Sequence, residues 1–370
     1  MNLFDPIRLR GLSLANRIVV SPMCQYSSVD GCATDWHLVH WAQLMMSGAS
    51  MFTIEATAVT PDGRISPGDL GLYDDACEEA LARNLARARA LCPPIGVAIQ
   101  LAHAGRKASS QPPWDGGKLI AAAHGGWTPA APSALPHGEH EPPPMALDVA
   151  GLVRVREAFA ASAQRAKCAG IDALELHMAH GYLLHEFLSP IANRRTDRYG
   201  GDFEARIRFP LEVFDAVRAV WPQERPLGVR LSCTDWVEGG WTLEESVEFS
   251  RRLVAHGVDW IDASSGGVSH AQQIPLGPGY QVGFAGAIRR ATGVTTIAVG
   301  LITEPAQAAS ILAAGDADMI AMARAFLWDP RWAWHAAAAL GAAVTAPKQY
   351  FRSAPRGAGD VFAGARMGQR

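Results

Sequence analysis

Residues 17–26 read RIVVSPMCQY, a short apolar run that ends in a turn containing proline and cysteine. A run of β-branched residues bounded by turn signals is typical of a buried strand. The turn that follows is informative, because a doubly wound open sheet normally carries a glycine-rich turn after its first strand. Here that turn is Ser21-Pro22-Met23-Cys24. The segment therefore predicts a first strand at 17–21 and argues against, without excluding, a dinucleotide-binding sheet of that kind.

The alternation of a short strand-like run with a longer helical stretch recurs along the chain. The predicted strands are 17–21, 51–56, 95–101, 172–176, 227–231, 260–264, 295–299 and 318–321. Strands that alternate with helices predict a parallel sheet, and eight such units fit a single (β/α)8 TIM barrel of the α/β class. The doubly wound open sheet is the alternative.

The barrel is predicted to occupy residues 1–352, with one inserted segment and one tail. Residues 103–144 are rich in proline, glycine and histidine and follow the third strand. They are too long for an ordinary loop, so we expect an inserted segment that caps the barrel. Residues 353–370 lack apolar periodicity and are predicted to form a flexible C-terminal tail.

Composition excludes several classes of protein. The 370 residues are 49% hydrophobic and 19% charged, which is incompatible with a disordered chain or a coiled coil. A formal net charge of −3 gives no electrostatic footprint for nucleic acid or an anionic membrane. No apolar run is long enough to cross a bilayer, and the first residues lack a secretory pattern. We expect a cytoplasmic globular protein without nucleic-acid or membrane partners.

The six cysteines are scattered along the sequence without a CxxC pair, at Cys24, Cys32, Cys77, Cys92, Cys168 and Cys233. Neither a disulfide framework nor a zinc knuckle is indicated by such spacing.

Polar and small residues follow the predicted strands, where a barrel enzyme performs its chemistry. The Ser-Ser-Gly-Gly turn at 264–267, Gly300 and Arg324 follow strands six, seven and eight. That region of a barrel often binds phosphate through glycine-turn N–H groups and arginine. Glycines after strands are also common as plain turn residues, which is the competing interpretation.

The densest polar cluster is His177-Met178-Ala179-His180-Gly181-Tyr182, directly after the fourth strand. Two imidazole N–H groups beside a phenol suit an enzyme that holds a carbonyl oxygen and supplies a proton. A metal-dependent hydrolase that uses His177, His180 and Glu175 as ligands is the alternative from another class. Histidines that are merely buried and hydrogen-bonded are the structural alternative.

Several segments, in chain order, resemble the old yellow enzyme family. They are residues 21–26 (SPMCQY), 55–56 (EA), 100–107 (QLAHAGRK), 177–183 (HMAHGYL), 187–201 (FLSPIANRRTDRYGG) and 324–330 (RAFLWDP). The resemblance runs from about residue 2 to residue 352 and is to the bacterial branch with a cysteine beside the flavin. It implies an FMN-dependent ene-reductase on a TIM barrel, with NADPH or NADH as hydride donor.

The resemblance also implies which residues hold FMN without a covalent bond. Along the ring would lie Ser21, Pro22, Met23 and Cys24, and at its pyrimidine edge Ala56, Gln100 and Arg230. The ribityl phosphate would be held by Ser265, Gly300, Ala323 and Arg324. Relatives usually carry glycine at position 323, so one extra methyl group must fit near the phosphate.

In the implied reaction, hydride passes from the nicotinamide to FMN and then to the β-carbon of an α,β-unsaturated carbonyl or nitro compound. His177 and His180 would bind the substrate oxygen, and Tyr182 would protonate the α-carbon. Tyr26 would help to close the pocket, and Cys24 would tune the flavin. Enones, quinones and nitro compounds are the expected substrates, and no metal is expected. A flavin-binding protein with an idle site is a further alternative.

The segment Gln349-Tyr350-Phe351-Arg352 resembles the one with which this branch reaches into a neighbouring subunit. Arg352 would then contribute to substrate binding in trans, in a homodimer or a dimer-based tetramer. An ordinary solvated arginine is the alternative. Leu276 stands where some close relatives place a tryptophan, which implies a roomier pocket.

Overall fold

In the computed structural model, which describes residues 1–366, eight parallel strands close into a barrel. The strands are β1 (Ile18–Val20), β2 (Met51–Ala58), β3 (Gly96–Ala102), β4 (Ala173–Met178), β5 (Leu227–Ser232), β6 (Trp260–Ser264), β7 (Thr295–Ala298) and β8 (Met319–Met322). Strand β8 pairs with β1, with Ile320 opposite Ile18. This pairing closes the sheet, so the predicted TIM barrel is confirmed and the doubly wound open sheet is wrong.

In the part of the chain that the structure describes, ten α-helices follow or lie between these strands. They are α1 (Asp35–Met45), α2 (Asp75–Leu91), α3 (Val149–Cys168), α4 (Leu183–Leu188), α5 (Phe203–Val220), α6 (Leu243–Ala255), α7 (Val282–Thr292), α8 (Pro305–Ala314), α9 (Arg324–Trp328) and α10 (Trp332–Leu340). Helix α6 begins with the predicted capping box, in which Thr242 Oγ1 accepts from the Glu245 N–H and Glu245 Oε2 accepts from the Thr242 N–H. Within residues 1–366, no helix is long and apolar enough to cross a membrane.

A short N-terminal hairpin closes the lower end of the barrel. Its strands, Ile7–Leu9 and Leu12–Leu14, pair antiparallel. Leu9 and Leu14 are buried in one apolar cluster with side chains from the first residues of several barrel strands, among them Met51, Ala173, Trp260 and Met319. Because this end is filled by packed side chains, the functional site belongs at the opposite, C-terminal end of the strands.

The inserted segment after β3 is held by a short strand pair and by a buried arginine side chain. Two residues of it, Ala130–Ala131, pair with Met145–Ala146. The buried Arg106 donates from Nη2 to the Val268 carbonyl at 2.6 Å and from Nη1 to the Leu135 carbonyl at 3.4 Å. One guanidinium thus ties the insertion to the loop after β6.

The chain after residue 352 packs more than the predicted flexible tail implies. Val361 and Phe362 are buried against Trp334 of α10. The Val344 N–H donates to the Val361 carbonyl at 2.8 Å, and the Ala363 N–H donates to the Val344 carbonyl at 3.0 Å. Two adjacent apolar residues produce no periodicity in the sequence, although they are enough to anchor the segment. Residues 367–370 of the predicted tail lie outside the described residues.

Candidate active site

A sharp turn after β4 brings His177, His180 and Tyr182 together. The backbone of His180 and Gly181 is left-handed, with φ of 60° and 74°, and a Cβ atom on Gly181 would collide with the backbone of Gly267. Glycine is therefore required there. The His180 N–H donates to Ser232 Oγ at 2.9 Å, which holds the turn in place.

The two imidazoles form a hydrogen-bonded series that ends on a serine. His177 Nδ1 accepts from the Ala179 N–H at 3.2 Å, so the proton of its neutral ring is on Nε2. That Nε2 atom lies 3.3 Å from His180 Nδ1, and His180 Nε2 lies 2.7 Å from Ser264 Oγ. A substrate oxygen that approaches His177 Nε2 would therefore compete with His180 Nδ1 for its N–H.

Burial keeps both imidazoles uncharged. It lowers the pKa of His177 and of His180 well below the ordinary value, and the positive charge of Arg230 adds to the effect. A neutral imidazole donates one N–H and accepts at the other nitrogen. The pair is therefore suited to polarising an oxygen by hydrogen bonding rather than by a full positive charge.

Tyr182 lies against this pair. The centroids of its ring and the His177 ring are 4.8 Å apart, with the planes nearly perpendicular. Lys107 Nζ is 5.2 Å from the centre of the Tyr182 ring and donates to the His180 and Gly267 carbonyls. Burial raises the pKa of Tyr182 well above its usual value, so the phenol keeps its proton and is able to act as an acid.

The side chain of Glu175 is already hydrogen-bonded to two neighbouring side chains. Its carboxylate accepts from Gln100 Nε2 at 2.8 Å and from Trp260 Nε1 at 3.1 Å. Within residues 1–366, no group of three histidine, cysteine, aspartate or glutamate side chains is arranged to hold a metal ion. The set His177, His180 and Glu175 is therefore not assembled as a metal site, and the geometry gives no support to the hydrolase alternative.

Arg230 on β5 lies opposite His177 on β4. Its Nε is 3.2 Å from Asp262 Oδ2, without the alignment of a hydrogen bond, and has no other partner within residues 1–366. The buried Ser21 Oγ is likewise without a partner there. Buried polar groups are normally satisfied, so these two atoms fit the edge of a polar ligand.

A cavity of about 200 Å³ extends from Arg230 toward the last two strands. It is lined by residues that include Ser264, Tyr280, Gln281, Gly300, Ala323 and Arg324. Gly300 has a φ of 121°, and a Cβ there would lie 2.9 Å from Gln281 Nε2. The volume is below the roughly 300–1,000 Å³ of sites that hold a whole drug-sized ligand. It suits the phosphate end of a longer molecule.

Ser264 is the last residue of β6 and Ser265 follows it, and the structure gives these two serines different surroundings. The predicted phosphate ligand Ser265 donates from Oγ to Gln281 Oε1 at 2.6 Å, whereas its neighbour Ser264 lines the cavity and contacts His180. Sequence reasoning did not single out Ser264 or Gln281. The Ser-Ser-Gly-Gly turn indicated that a serine faces the ligand. It did not indicate which of the two serines does so.

Residues after β1 form the opposite wall. Tyr26 has a left-handed backbone with φ of 51°, and its ring meets Trp114 of the inserted segment edge-on, with centroids 5.3 Å apart. Cys24 is half-buried and is not in a disulfide. Burial, followed by the negative charges of Asp69 and Glu55, raises the pKa of the Cys24 thiol well above its usual value. The group is therefore a neutral thiol near pH 7.

Asp69 lies behind this wall and makes a testable contribution to stability. Burial raises its pKa from 3.8 to about 7. Between those values the unfolded chain loses the proton and the folded chain keeps it, so stability from this group falls as pH rises. We expect the free energy of unfolding of Asp69→Asn, relative to the native protein, to rise by up to about 1.4 kcal/mol per pH unit from pH 4 to 7.

Urea unfolding at pH 5, 6 and 7 measures this difference, with Asp115→Asn at an exposed position of the insertion as the matched control. Parallel pH profiles for Asp69→Asn and the native protein would show that Asp69 is ionised in the folded state.

The remaining predicted site residues are placed as follows. Pro22 and Met23 continue from β1 beside Cys24, and Ala56 is buried on β2. Arg352 is exposed on a short 3-10 helix, Lys348–Ser353, and makes no hydrogen bond with the site residues described above. Leu276 is exposed. The structure thus joins β1, β3, β4, β5 and the loops after β6 to β8 into one site, and leaves Arg352 outside it.

Comparison with known proteins gives consistent matches over nearly the whole chain. The model of the NADH:flavin oxidoreductase / NADH oxidase family matches residues 2–341. An NADPH dehydrogenase of Geobacillus thermodenitrificans is 45% identical over 95% of this chain and 98% of its own. An NADPH dehydrogenase of Bacillus subtilis is 41% identical over the same shares. The solved structure of morphinone reductase is 29% identical, with a TM-score of 0.74 over 94% of this chain and 91% of its own.

Proposed function

Because the chain belongs to the NADH:flavin oxidoreductase / NADH oxidase family, we propose that it is an ene-reductase that acts on α,β-unsaturated carbonyl and nitro compounds. It is an oxidoreductase whose cofactor is FMN and whose hydride donor is a reduced nicotinamide. The observation that carries the proposal is a pair of neutral imidazoles in contact with each other, with the protonated phenol of Tyr182 against the His177 ring. An imidazole N–H can polarise a substrate oxygen, and a tyrosine hydroxyl can donate a proton.

The donor set of the site fits FMN. Ser21 and Arg230 present buried polar atoms without hydrogen-bond partners in residues 1–366, and Gly300 and Arg324 line a cavity suited to a phosphate. The residues that would hold the cofactor are Ser21, Pro22, Met23, Cys24, Ala56, Gln100, Arg230, Ser265, Gly300, Ala323 and Arg324. Bound there, FMN supplies hydride transfer between the nicotinamide and the substrate.

Arg230 and Glu175 orient the polar edge of this site. The side-chain amide of Gln100 donates from its nitrogen to Glu175. This hydrogen bond fixes the orientation of the amide and turns its oxygen away from Glu175. Arg230 places a positive charge beside that edge, and a fixed cation favours the more negative state of a cofactor. The buried Asp262 holds the guanidinium in position at 3.2 Å.

The imidazoles would act on the substrate oxygen. His177 Nε2 carries a proton that points at His180 Nδ1, and a carbonyl or nitro oxygen in that position accepts it instead. The bond strengthens as negative charge grows on the oxygen, so it stabilises the transition state more than the substrate. Ser264 bonds to His180 and limits rotation of its ring.

Tyr182 would deliver the proton to the α-carbon. Its raised pKa keeps the hydroxyl proton in place until a carbanion-like acceptor is within reach. Lys107, fixed by two carbonyls, faces the ring of Tyr182 at 5.2 Å and favours negative charge on the phenol after transfer. Tyr26, in edge-on contact with the exposed Trp114, would form the wall of the pocket on the side of the insertion.

The proposal includes a dimer in which Arg352 contributes to the site of the neighbouring subunit. Arg352 is exposed near the end of the chain, with Tyr350 exposed beside it. An exposed guanidinium without a hydrogen bond to its own site supports a role in a neighbouring subunit of a dimer.

Anaerobic titration tests the proposed function. We expect each reduced nicotinamide to bleach the visible absorption of the purified protein, and 2-cyclohexenone to restore it with formation of cyclohexanone. Recovery with a quinone or with oxygen, but not with 2-cyclohexenone, would identify an oxidase or quinone reductase instead. Zinc content without visible absorption would indicate the hydrolase.

Replacing His177 by alanine is expected to lower kcat/KM for 2-cyclohexenone by about 10²–10³-fold, because one hydrogen bond to the developing negative charge is lost. His177→Asn retains an N–H donor and should recover part of the activity. His256→Ala, which removes a partly exposed histidine bonded to Asp215, is the matched control. Steady-state kinetics at saturating NADPH measures the effect, and a loss that is no greater than in the control would exclude His177 from substrate activation.

A further inference from the structure

We propose that Cys32 and Cys77 are a site of reversible oxidation, at which a hydroperoxide converts the two thiols to an intramolecular disulfide. Both cysteines are free, and their Sγ atoms lie 4.0 Å apart although the residues are 45 positions apart in sequence. All six cysteines lie within the described residues, and this is the pair whose sulfur atoms are in contact. The inference is independent of the proposed ene-reductase activity.

A tight turn holds Cys32 in place. The Val29 N–H donates to the Cys32 carbonyl at 3.2 Å, and the Cys32 N–H donates to the Val29 carbonyl at 2.9 Å. Asp30 and Gly31 between them are left-handed, with φ of 51° and 80°. A Cβ on Gly31 would collide with the Tyr73 hydroxyl. The sulfur of Cys32 is therefore presented by a constrained loop rather than by a mobile one.

Cys77 is fixed from the other side by the start of α2. Its N–H donates to Asp74 Oδ1 at 2.8 Å, the N-cap contact of that helix. The Sγ atoms of Cys77 and Cys32 lie 3.8 Å and 4.0 Å from the same acceptor, the Asp30 carbonyl. The two thiols thus converge on one point. A sulfur–sulfur bond of about 2.05 Å requires an approach of roughly 2 Å, which can be shared by two side-chain rotations and a small movement of the turn.

The exposures of the two sulfurs assign their roles. Cys32 is partly exposed and Cys77 is buried, so the peroxide reaches Cys32 first. The Cys32 thiolate attacks one peroxide oxygen; the S–O bond forms, the O–O bond breaks, and protonation of the leaving oxygen gives one water and a sulfenic acid. The Cys77 sulfur then attacks the Cys32 sulfur, the S–O bond breaks, and the Cys77 proton leaves with the hydroxyl group as a second water. Two thiols lose two electrons and one peroxide gains them.

The bond would connect the loop after β1 to α2. Burial, with a smaller effect of Asp74, raises the pKa of the Cys77 thiol, so Cys77 enters the second step as a protonated thiol. Residues 27–32 continue directly from Tyr26, and Ser28 already bonds to Gly68 and Asp69 in the neighbouring loop. A disulfide would add a covalent restraint to this side of the substrate pocket.

Peptide mapping of the oxidised holoenzyme tests the proposal. The purified protein is treated with hydrogen peroxide, its remaining thiols are alkylated, and the digest is compared before and after reduction with dithiothreitol. We expect a peptide pair joined through Cys32 and Cys77, lighter by two hydrogen atoms than the separate peptides and released by the reductant. The midpoint of thermal unfolding should rise on oxidation and return on reduction.

Two serine variants keep the result interpretable. Cys32→Ser should lose both the linked peptide and the thermal shift, whereas Cys92→Ser, which removes a partly buried cysteine whose Sγ contacts the Ala42 carbonyl, should keep both. Sulfinic or sulfonic acid at Cys32 without a linked peptide would overturn the proposal, and so would linkage of Cys32 to another cysteine. If Cys32→Ser unfolds, the map of the native protein alone decides between these outcomes.

Discussion

Tyr182→Phe is expected to slow reduction of 2-cyclohexenone by about 10²–10⁴-fold, the usual contribution of a positioned general acid. The rate at which NADPH bleaches the visible absorption should stay within about twofold of the native rate, because no proton from Tyr182 is needed in that step. The ring itself is retained, so the contact with His177 at 4.8 Å survives the change.

Stopped-flow absorbance measures the two half-reactions of Tyr182→Phe separately. Tyr73→Phe is the matched control, since it removes a hydroxyl group that bonds to the Asp30 carbonyl outside the site. If both half-reactions slow equally, Tyr182 supports cofactor binding or local structure, and another group supplies the proton.

Arg230→Leu is expected to lower the free energy of unfolding by about 3–5 kcal/mol, because it leaves the buried Asp262 carboxylate without its cation. Glu175 lies in the same network and its pKa is already raised to about 7, first by burial and then by the negative charge of Asp262. Loss of Arg230 removes the positive charge that opposes both effects. Affinity for FMN should fall as well, since the same guanidinium lines the cofactor cavity.

A second substitution separates the charge from the packing at Arg230. Arg230→Leu/Asp262→Leu removes both members of the ion pair and should recover much of the lost stability, without recovering affinity for FMN. Urea unfolding and fluorescence titration with FMN measure the two quantities. Equal stabilities of the single and double variants would show that Asp262 is protonated in the folded protein and does not need the cation.

The barrel was predictable because its strands are buried on both faces and appear as short apolar runs. The run at 260–264 coincides with β6, and that at 227–231 ends one residue before β5 does. Positions at the ends of such runs converge by symmetry of the fold. The neighbourhood of His177, Arg230 and Gly300 followed from this rule before any contact was known.

The surroundings of individual side chains were not predictable in the same way. Whether Ser264 or Ser265 faces the cavity depends on where β6 ends, and one residue of difference reverses the side-chain direction. Trp114 contacts Tyr26 across 88 positions of sequence, from a segment without periodicity. Glu175 alternates with His177 along β4, which made it a candidate metal ligand, but its hydrogen bonds come from Gln100 and Trp260 on other strands. Such long-range contacts leave no local pattern.

The packed hairpin under the barrel also limits where ligands can enter. Leu9 and Leu14 are buried at the N-terminal end of the strands, so the proposed hydride donor and acceptor would both approach from the C-terminal end. Substitutions that widen or narrow the loops at that end should therefore change access for both reactants alike.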